Sequence, residues 1–285
     1  MSETADRTAL DQWYCLEALQ DIGPGAMPNR LLGVDLTIAR DEAGRIAVTA
    51  EGRPAPLPTR ERYGYLWTTL GTPAADLSSI PEAFEADRRS VVCGAVSVRS
   101  SGPRIVENFL DLAHFPFVHT NILGVEPHTE VDHYTAEIRR DVDEVWATDC
   151  RFYQPQAALS AKDGIMTHYV YRVLNPFAVI LYKTCPNAAD RQDIICLFVQ
   201  PLEEDRCRAH PVMFLIDDAS PLADLIHFQQ LIFLQDRIIL ENQRPLLLPL
   251  GPRAEMPARA DATSATYRRW LKEKGLRYGT TLQAA

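Results

Sequence analysis

The sequence predicts an α+β protein in two parts, and three observations carry that expectation. Short apolar runs broken by turn-forming residues fill the first 71 residues, the pattern of β hairpins. Four closely spaced strand-like runs follow between a short helical pattern and a long one, which reads as antiparallel α+β and not as repeated βαβ units. A polar, proline-containing segment separates the two parts.

In the first part LLGVDLTIA and RIAVTA flank the turn Asp41-Glu42-Ala43-Gly44, and YGYLWTTLG follows a proline-rich stretch, so residues 10–71 read as a small all-β unit. From Thr72 to about Asp87 the segment TPAADLSSIPEAFEAD has no apolar period and reads as a linker. A boundary there gives residues 1–85 and 86–285 as the expected domains. The second part begins with helix-like VENFLDLAH, then strand-like MTHYVYRVL, FAVILYKTC, DIICLFVQPL and AHPVMFLID. A long helix comes next, expected to take Ser220 as N-cap and Pro221 as its first residue, and to stop before Pro245. The last helix, about Ser264 to Gly275, places Tyr267, Trp270 and Leu271 on one face for docking.

With 285 residues, 46% hydrophobic and 24% charged, the chain has the composition of a folded globular protein. A net charge of −9 argues against nucleic acid or an anionic membrane as partner, since both need a basic face. The opening MSETADRTALDQ has no apolar core and no run of 18 apolar residues occurs anywhere, so the expected location is cytoplasmic. Six cysteines (15, 93, 150, 185, 196 and 207) show no C-x-x-C pair and read as reduced thiols.

The densest polar cluster in apolar surroundings is ENFLDLAHFPFVH, residues 107–119. His114 and His119 are five apart and would diverge on an unbroken helix, and Pro116 between them is expected to break it and let both converge. Two imidazoles on one centre suit a divalent metal, while two core histidines bonded to backbone carbonyls are the bland alternative. Asp236 adds weight to the metal. It falls within the helical stripe of Leu222, Leu225, Ile226, Ile232, Phe233, Ile239 and Leu240. A carboxylate on a core face costs several kcal/mol unless a cation meets it. Arg237 and Arg244 lie off this face, which leaves a metal or a distant arginine. Two histidines and one carboxylate form the facial set of non-haem Fe(II) sites, with zinc as the chemical runner-up. Cys207 and His210 have C-x-x-H spacing, but their strand-like setting reads as core.

The run N-F-L-D-L-A-H-F-P-F-V-H resembles the N-x-x-D-x-x-H-x4-H motif of the oxygenase subunits of Rieske non-haem iron oxygenases, and QDRIILENQRP resembles the helix bearing their aspartate ligand. The resemblance implies that His114, His119 and Asp236 hold mononuclear Fe(2+). It implies that Asp111 bridges an iron-ligand histidine to a Rieske cluster in a neighbouring subunit, and that Asn108 is the near-iron asparagine. It implies a truncated Rieske-like β domain followed by a helix-grip (START-like) catalytic domain, with a sheet wrapped on a long helix. PGAMPNRLLGVDLTIARDEAGRIAV and RYGYLWTTLG resemble the opening and closing strands of the first domain. A [2Fe–2S] centre needs two cysteines and two histidines between such strands. The 14 residues between Val48 and Tyr63 include neither, so no cluster is expected in this chain.

Since the chain also lacks flavin and nicotinamide fingerprints, its electrons are expected from NAD(P)H through a Rieske centre in trans. The expected donor is a Rieske-containing reductase or a sister oxygenase subunit, within a homo- or hetero-trimer. NPFAVILYK and TYRRWLKEK are similar to sequences of methylxanthine N-demethylases. The implied reaction is O2-dependent hydroxylation of an N-methyl group, at N7, which leaves as formaldehyde. An O-demethylase, a ring hydroxylase, a non-catalytic scaffold subunit and a metal-free helix-grip binding protein remain open. Phe115, Asn175, Phe177 and Gln229 are pocket candidates, and the substrate residues themselves stay unassigned.

Overall fold

The computed structural model describes residues 4–251 and 254–282. After a single turn α1 (Arg7–Leu10), six strands form two small antiparallel sheets: β1 (Tyr14–Ala18), β2 (Gly25–Leu31), β3 (Val34–Arg40), β4 (Ile46–Ala50), β5 (Thr59–Arg62) and β6 (Tyr65–Thr68). Their orders are β1-β6-β5 and β2-β3-β4. The β3–β4 hairpin turns at the expected place. Gly44 sits at φ 80° and Asp41 Oδ1 accepts the Arg45 N–H at 2.8 Å, a conformation that glycine and a turn aspartate favour.

The second part starts with β7 (Arg89–Val92) and β8 (Val96–Val98), then two short helices α2 (Gly102–Leu110) and α3 (Phe115–Val118). Six longer strands follow: β9 (Thr135–Arg139), β10 (Glu144–Gln154), β11 (Ile165–Asn175), β12 (Ala178–Cys185), β13 (Ala188–Glu203) and β14 (Arg206–Leu215). They make one antiparallel sheet, β7-β14-β13-β12-β11-β10-β9, with β8 beside β14. Helices α4 (Leu222–Asn242) and α5 (Ala262–Lys274) complete the chain. The class is α+β, as expected. The four expected strands are β11 to β14, whereas β9 and β10 are strands that the sequence analysis leaves unassigned.

The apolar runs of β12 and β13 are nearly continuous because both faces of the sheet are covered. Ile180, Tyr182, Ile194, Cys196 and Phe198 pack against Tyr63, Tyr65 and Trp67 of the first part. The alternate residues Leu181, Leu197 and Val199 belong to the core on the opposite face, with α2 and α4. Backbone bonds also join the parts: the Leu32 and Gly33 amides donate to Pro201 and Leu202 carbonyls at 2.8 and 2.9 Å. In α5, Tyr267, Trp270 and Leu271 are buried, and the Trp270 indole donates to Asp143 at 2.8 Å. All six cysteines are buried free thiols. Among the described residues no helix is long and apolar enough to cross a membrane.

Two helix details differ from expectation. α4 begins at Leu222 with Pro221 at its cap, while the Ser220 hydroxyl donates to Asp217 at 2.7 Å and caps nothing. The buried positions of α4 are Leu225, Gln229, Phe233, Asp236 and Leu240, a stripe of three- and four-residue steps. Leu222 and Ile239 lie outside it, 48% and 41% exposed. This helix is apolar on more than one side, so periodicity alone drew the stripe too wide.

Candidate metal centre

Helix α2 ends at Leu110 because Asp111 leaves the helical conformation (φ −86°, ψ 128°) and its Oδ1 accepts the Ala113 N–H at 2.9 Å. A short carboxylate competing for local backbone amides is a common helix stop. His114 caps the single turn α3 and His119 closes it, its amide bonding to the Phe115 carbonyl at 3.0 Å. Pro116 is therefore not the break that the sequence suggested. It lies in the first turn of α3, where a missing N–H costs nothing, and the chain breaks at Asp111. The two histidines converge because they flank one turn.

Across from them α4 delivers Asp236. His114 Nε2 and His119 Nε2 are 3.2 Å apart, and Asp236 Oδ1 is 3.2 Å from the first and 3.0 Å from the second. The other ring nitrogens are engaged: His114 Nδ1 lies 2.9 Å from Asp111 Oδ2 and His119 Nδ1 lies 2.8 Å from Gln235 Oε1. Carboxylate and amide oxygens only accept, so these partners assign the imidazole protons to Nδ1 and leave Nε2 lone pairs facing inward. Three lone-pair atoms thus meet, and the Asn108 amide, 3.4 Å from Asp236 Oδ1, donates only weakly between them. Among the described residues this is the one trio of potential metal ligands that converges.

The electrostatics show a demand for positive charge, which a second proton on His114 Nε2 meets and which a cation bound by the trio would displace. Burial opposes the charged form of His114, but its bonds to Asp111 and Asp236 outweigh burial and push it up to about 9. Burial raises the Asp236 carboxyl, and the two histidines more than reverse this, holding it below the usual carboxylate range. The cluster calls for positive charge, and the donor set fits a divalent cation of the Fe(II) or Zn(II) type, with Asp111 and Gln235 orienting the ligand rings from behind.

The three potential ligands line a cavity between α4 and the large sheet, which Phe115 and Gln229 also line. Asn175 and Phe177 do not line it. Asn175 Oδ1 accepts the Phe177 N–H at 2.8 Å in the β11–β12 turn, and the Phe177 ring packs on Tyr14 with centroids 5.3 Å apart. Asp111 and His114 border a second, surface groove with Arg104, Ile239, Met256 and Arg268. Cys207 and His210 are fully buried on β14, three residues apart, and so project to opposite faces of the sheet. The core reading of that pair holds. Gln235 escaped the sequence analysis, although its place next to Asp236 was a usable signal.

Residues 98–277 match the vanillate O-demethylase oxygenase C-terminal domain. The chain belongs to the oxygenase subunits of the Rieske non-haem iron oxygenase family. Within it, the chain is 45% identical over 273 residues to the probable methylxanthine N7-demethylase NdmC of Pseudomonas sp. (strain TJI-51), covering 95% of this chain and 96% of that one. It is 25% identical to the methylxanthine N1-demethylase NdmA of Pseudomonas putida, an alignment covering 75% of this chain but 59% of NdmA. The solved structure of Pseudomonas putida CBB5 NdmA with caffeine shares the fold, with a TM-score of 0.74 at 16% identity over 92% of this chain and 90% of that one. These likenesses support an N-demethylating oxygenase, and the family implies iron.

Proposed function

We propose that this chain is the terminal oxygenase component of a multicomponent NAD(P)H-dependent system that removes the N7-methyl group of a methylxanthine. The observation that carries the reading is the convergence of His114, His119 and Asp236 in the wall of a largely apolar cavity. Its likeness to a probable N7-demethylase supports the substrate class. Fe(II) held by these three residues would supply the redox chemistry with O2. The reaction balances as follows: N-methyl group, O2, two electrons and two protons give an N-hydroxymethyl group and water. The carbinolamine C–N bond then breaks, formaldehyde leaves, and the ring nitrogen takes up the proton that the hydroxyl gives up.

The residues of this chain divide the remaining work. The cavity wall takes the flat ring and excludes water, and Asn108 steadies Asp236. Asp111 holds the His114 ring from behind while facing the surface groove, which suits a bridge for electrons arriving from outside. Residues 49–62 offer no cysteine or histidine, so the Rieske centre belongs to a partner, a reductase or a sister subunit in a homo- or hetero-trimer. Residues 1–85 serve as a cluster-free β domain and residues 86–285 as the catalytic domain, acting in the cytoplasm.

The test is iron and acid-labile sulfide per chain on anaerobically purified protein, then turnover with a Rieske reductase, NADH and 7-methylxanthine. About one iron, no sulfide, and formaldehyde matching xanthine one to one are expected. No iron after Fe(II) loading would replace this reading with the scaffold subunit, and turnover of vanillate alone would replace it with an O-demethylase, the activity named by the matched domain.

A further inference from the structure

A buried lysine stands in the cavity wall with its hydrogen bonds unspent. Lys183, on β12, is 5% exposed and lines the same cavity as the three metal ligands. It shares a face with Leu181, directly across from Asp193 on β13. Among the described residues its ammonium makes no hydrogen bond, and no carboxylate lies within ion-pair distance. Its near neighbour is the Tyr169 ring, 5.6 Å from Nζ to centroid. The two acids in the same wall are already supplied with donors. Asp193 Oδ1 accepts the Ile216 amide at 3.0 Å, and Asp217 accepts two amides and the Ser220 hydroxyl at 2.7–3.1 Å.

An ammonium buried without acceptors is costly, and burial pulls Lys183 down to about 8, an effect the Asp193 charge only partly offsets. A structural core position has no use for such a group, since an apolar side chain of similar volume packs there as well or better. The rest of the cavity is mostly aromatic and aliphatic surface, such as Phe115, Tyr171, Leu181 and Ile195, with Gln229 and Ser160 as uncharged polar side chains that make no hydrogen bond among the described residues. Lys183 is its charged donor, with three N–H bonds. The complementary ligand is a flat ring carrying acceptors, and the ring carbonyls of an N-alkylated purine-dione meet that description.

Resting on the substrate reading above, we propose that Lys183 is a substrate-binding and specificity residue that donates a hydrogen bond from Nζ to a ring carbonyl oxygen of the bound methylxanthine. The acceptor fixes the ring relative to the histidines that line the same cavity, and the sheet, not the metal, selects for the oxidised purine.

The test is calorimetric binding to the anaerobic, iron-loaded protein, so that no turnover intervenes, with 7-methylxanthine and 7-methylpurine, which lacks both ring carbonyls. Wild type is expected to prefer 7-methylxanthine by roughly tenfold to a hundredfold, the range for a hydrogen bond to a charged group. Lys183→Met is expected to lose most of that preference while binding 7-methylpurine as wild type does. A Lys183→Met protein that keeps the full preference would overturn the role of the lysine and leave the substrate reading standing. Wild type that holds neither compound would overturn the substrate reading, and this proposal with it. Should Lys183→Met fail to fold, the wild-type comparison decides alone, since equal affinity for the two compounds sinks the proposal.

Discussion

His114 and His210 are both largely or fully buried, and the protein drives them in opposite directions. His210, on β14, lies 3.0 Å from Gln200 Oε1 through Nε2, and Gln200 in turn donates to Asn29 Oδ1 at 2.6 Å and the Arg30 carbonyl at 2.8 Å. This network ties the β2–β3 hairpin to the large sheet, and no carboxylate enters it. Burial, helped by the charge of Arg208, pushes His210 down to about 3. Around His114 the burial penalty is also the largest single effect, yet carboxylates at both ring nitrogens reverse it. Burial by itself makes a histidine a neutral structural group. Acids on both sides of a buried imidazole mark a site that calls for a cation.

The comparison breaks most visibly if the acids around His114 prove dispensable. Asp236→Ala is expected to weaken Fe(II) binding more than a hundredfold and to abolish turnover, with metal per chain measured after desalting. Metal retained at the wild-type ratio would remove Asp236 from the ligand set. Asp111→Asn probes the other ring nitrogen. An amide oxygen still accepts from His114 Nδ1, so iron should remain, while the proposed electron bridge loses its charge and turnover is expected to fall by roughly a hundredfold. Full activity in Asp111→Asn would sink the electron-bridge role.

How much of this was legible follows from how local each signal is. Residues 108–119 lie in one stretch, and Asp236 stands in a helical stripe, so the residues that converge could be read from short-range pattern. The pivot of the turn could not, because whether Asp111 or Pro116 breaks the helix depends on a hydrogen bond two residues long. β10 escaped because its pairing with β11 shifts register between Ala147 and Cys150, with Asp149 at φ 60°, and a bulge erases the alternation that betrays a strand. Lys183 is plain in the sequence, but its face acquires meaning only when α4 closes the cavity over it. Phe177 stands outside the cavity for the converse reason: the β11–β12 turn buries it against Tyr14 and Gly102 of α2, residues far from it along the chain, while Asn175 accepts the Phe177 amide in that turn.

The smallest expected effect tests the other half of the comparison, and it concerns stability alone. Above about pH 6.5 His210 is neutral in both folded and unfolded chains and contributes no pH dependence. As pH falls below that, the unfolded chain takes up a proton that the folded one refuses until about 3, so the unfolded state binds more protons and stability drops. The slope from this one group is at most about 1.4 kcal/mol per pH unit. His210→Leu is expected to cost roughly 1–3 kcal/mol at pH 7, because Gln200 Oε1 loses its donor. Between about pH 6.5 and 3 the variant should lose stability less steeply than wild type in urea titrations, and its iron content should be unchanged. Parallel slopes would mean that the folded protein accommodates a charged His210, and that burial without acids does not keep an imidazole neutral here.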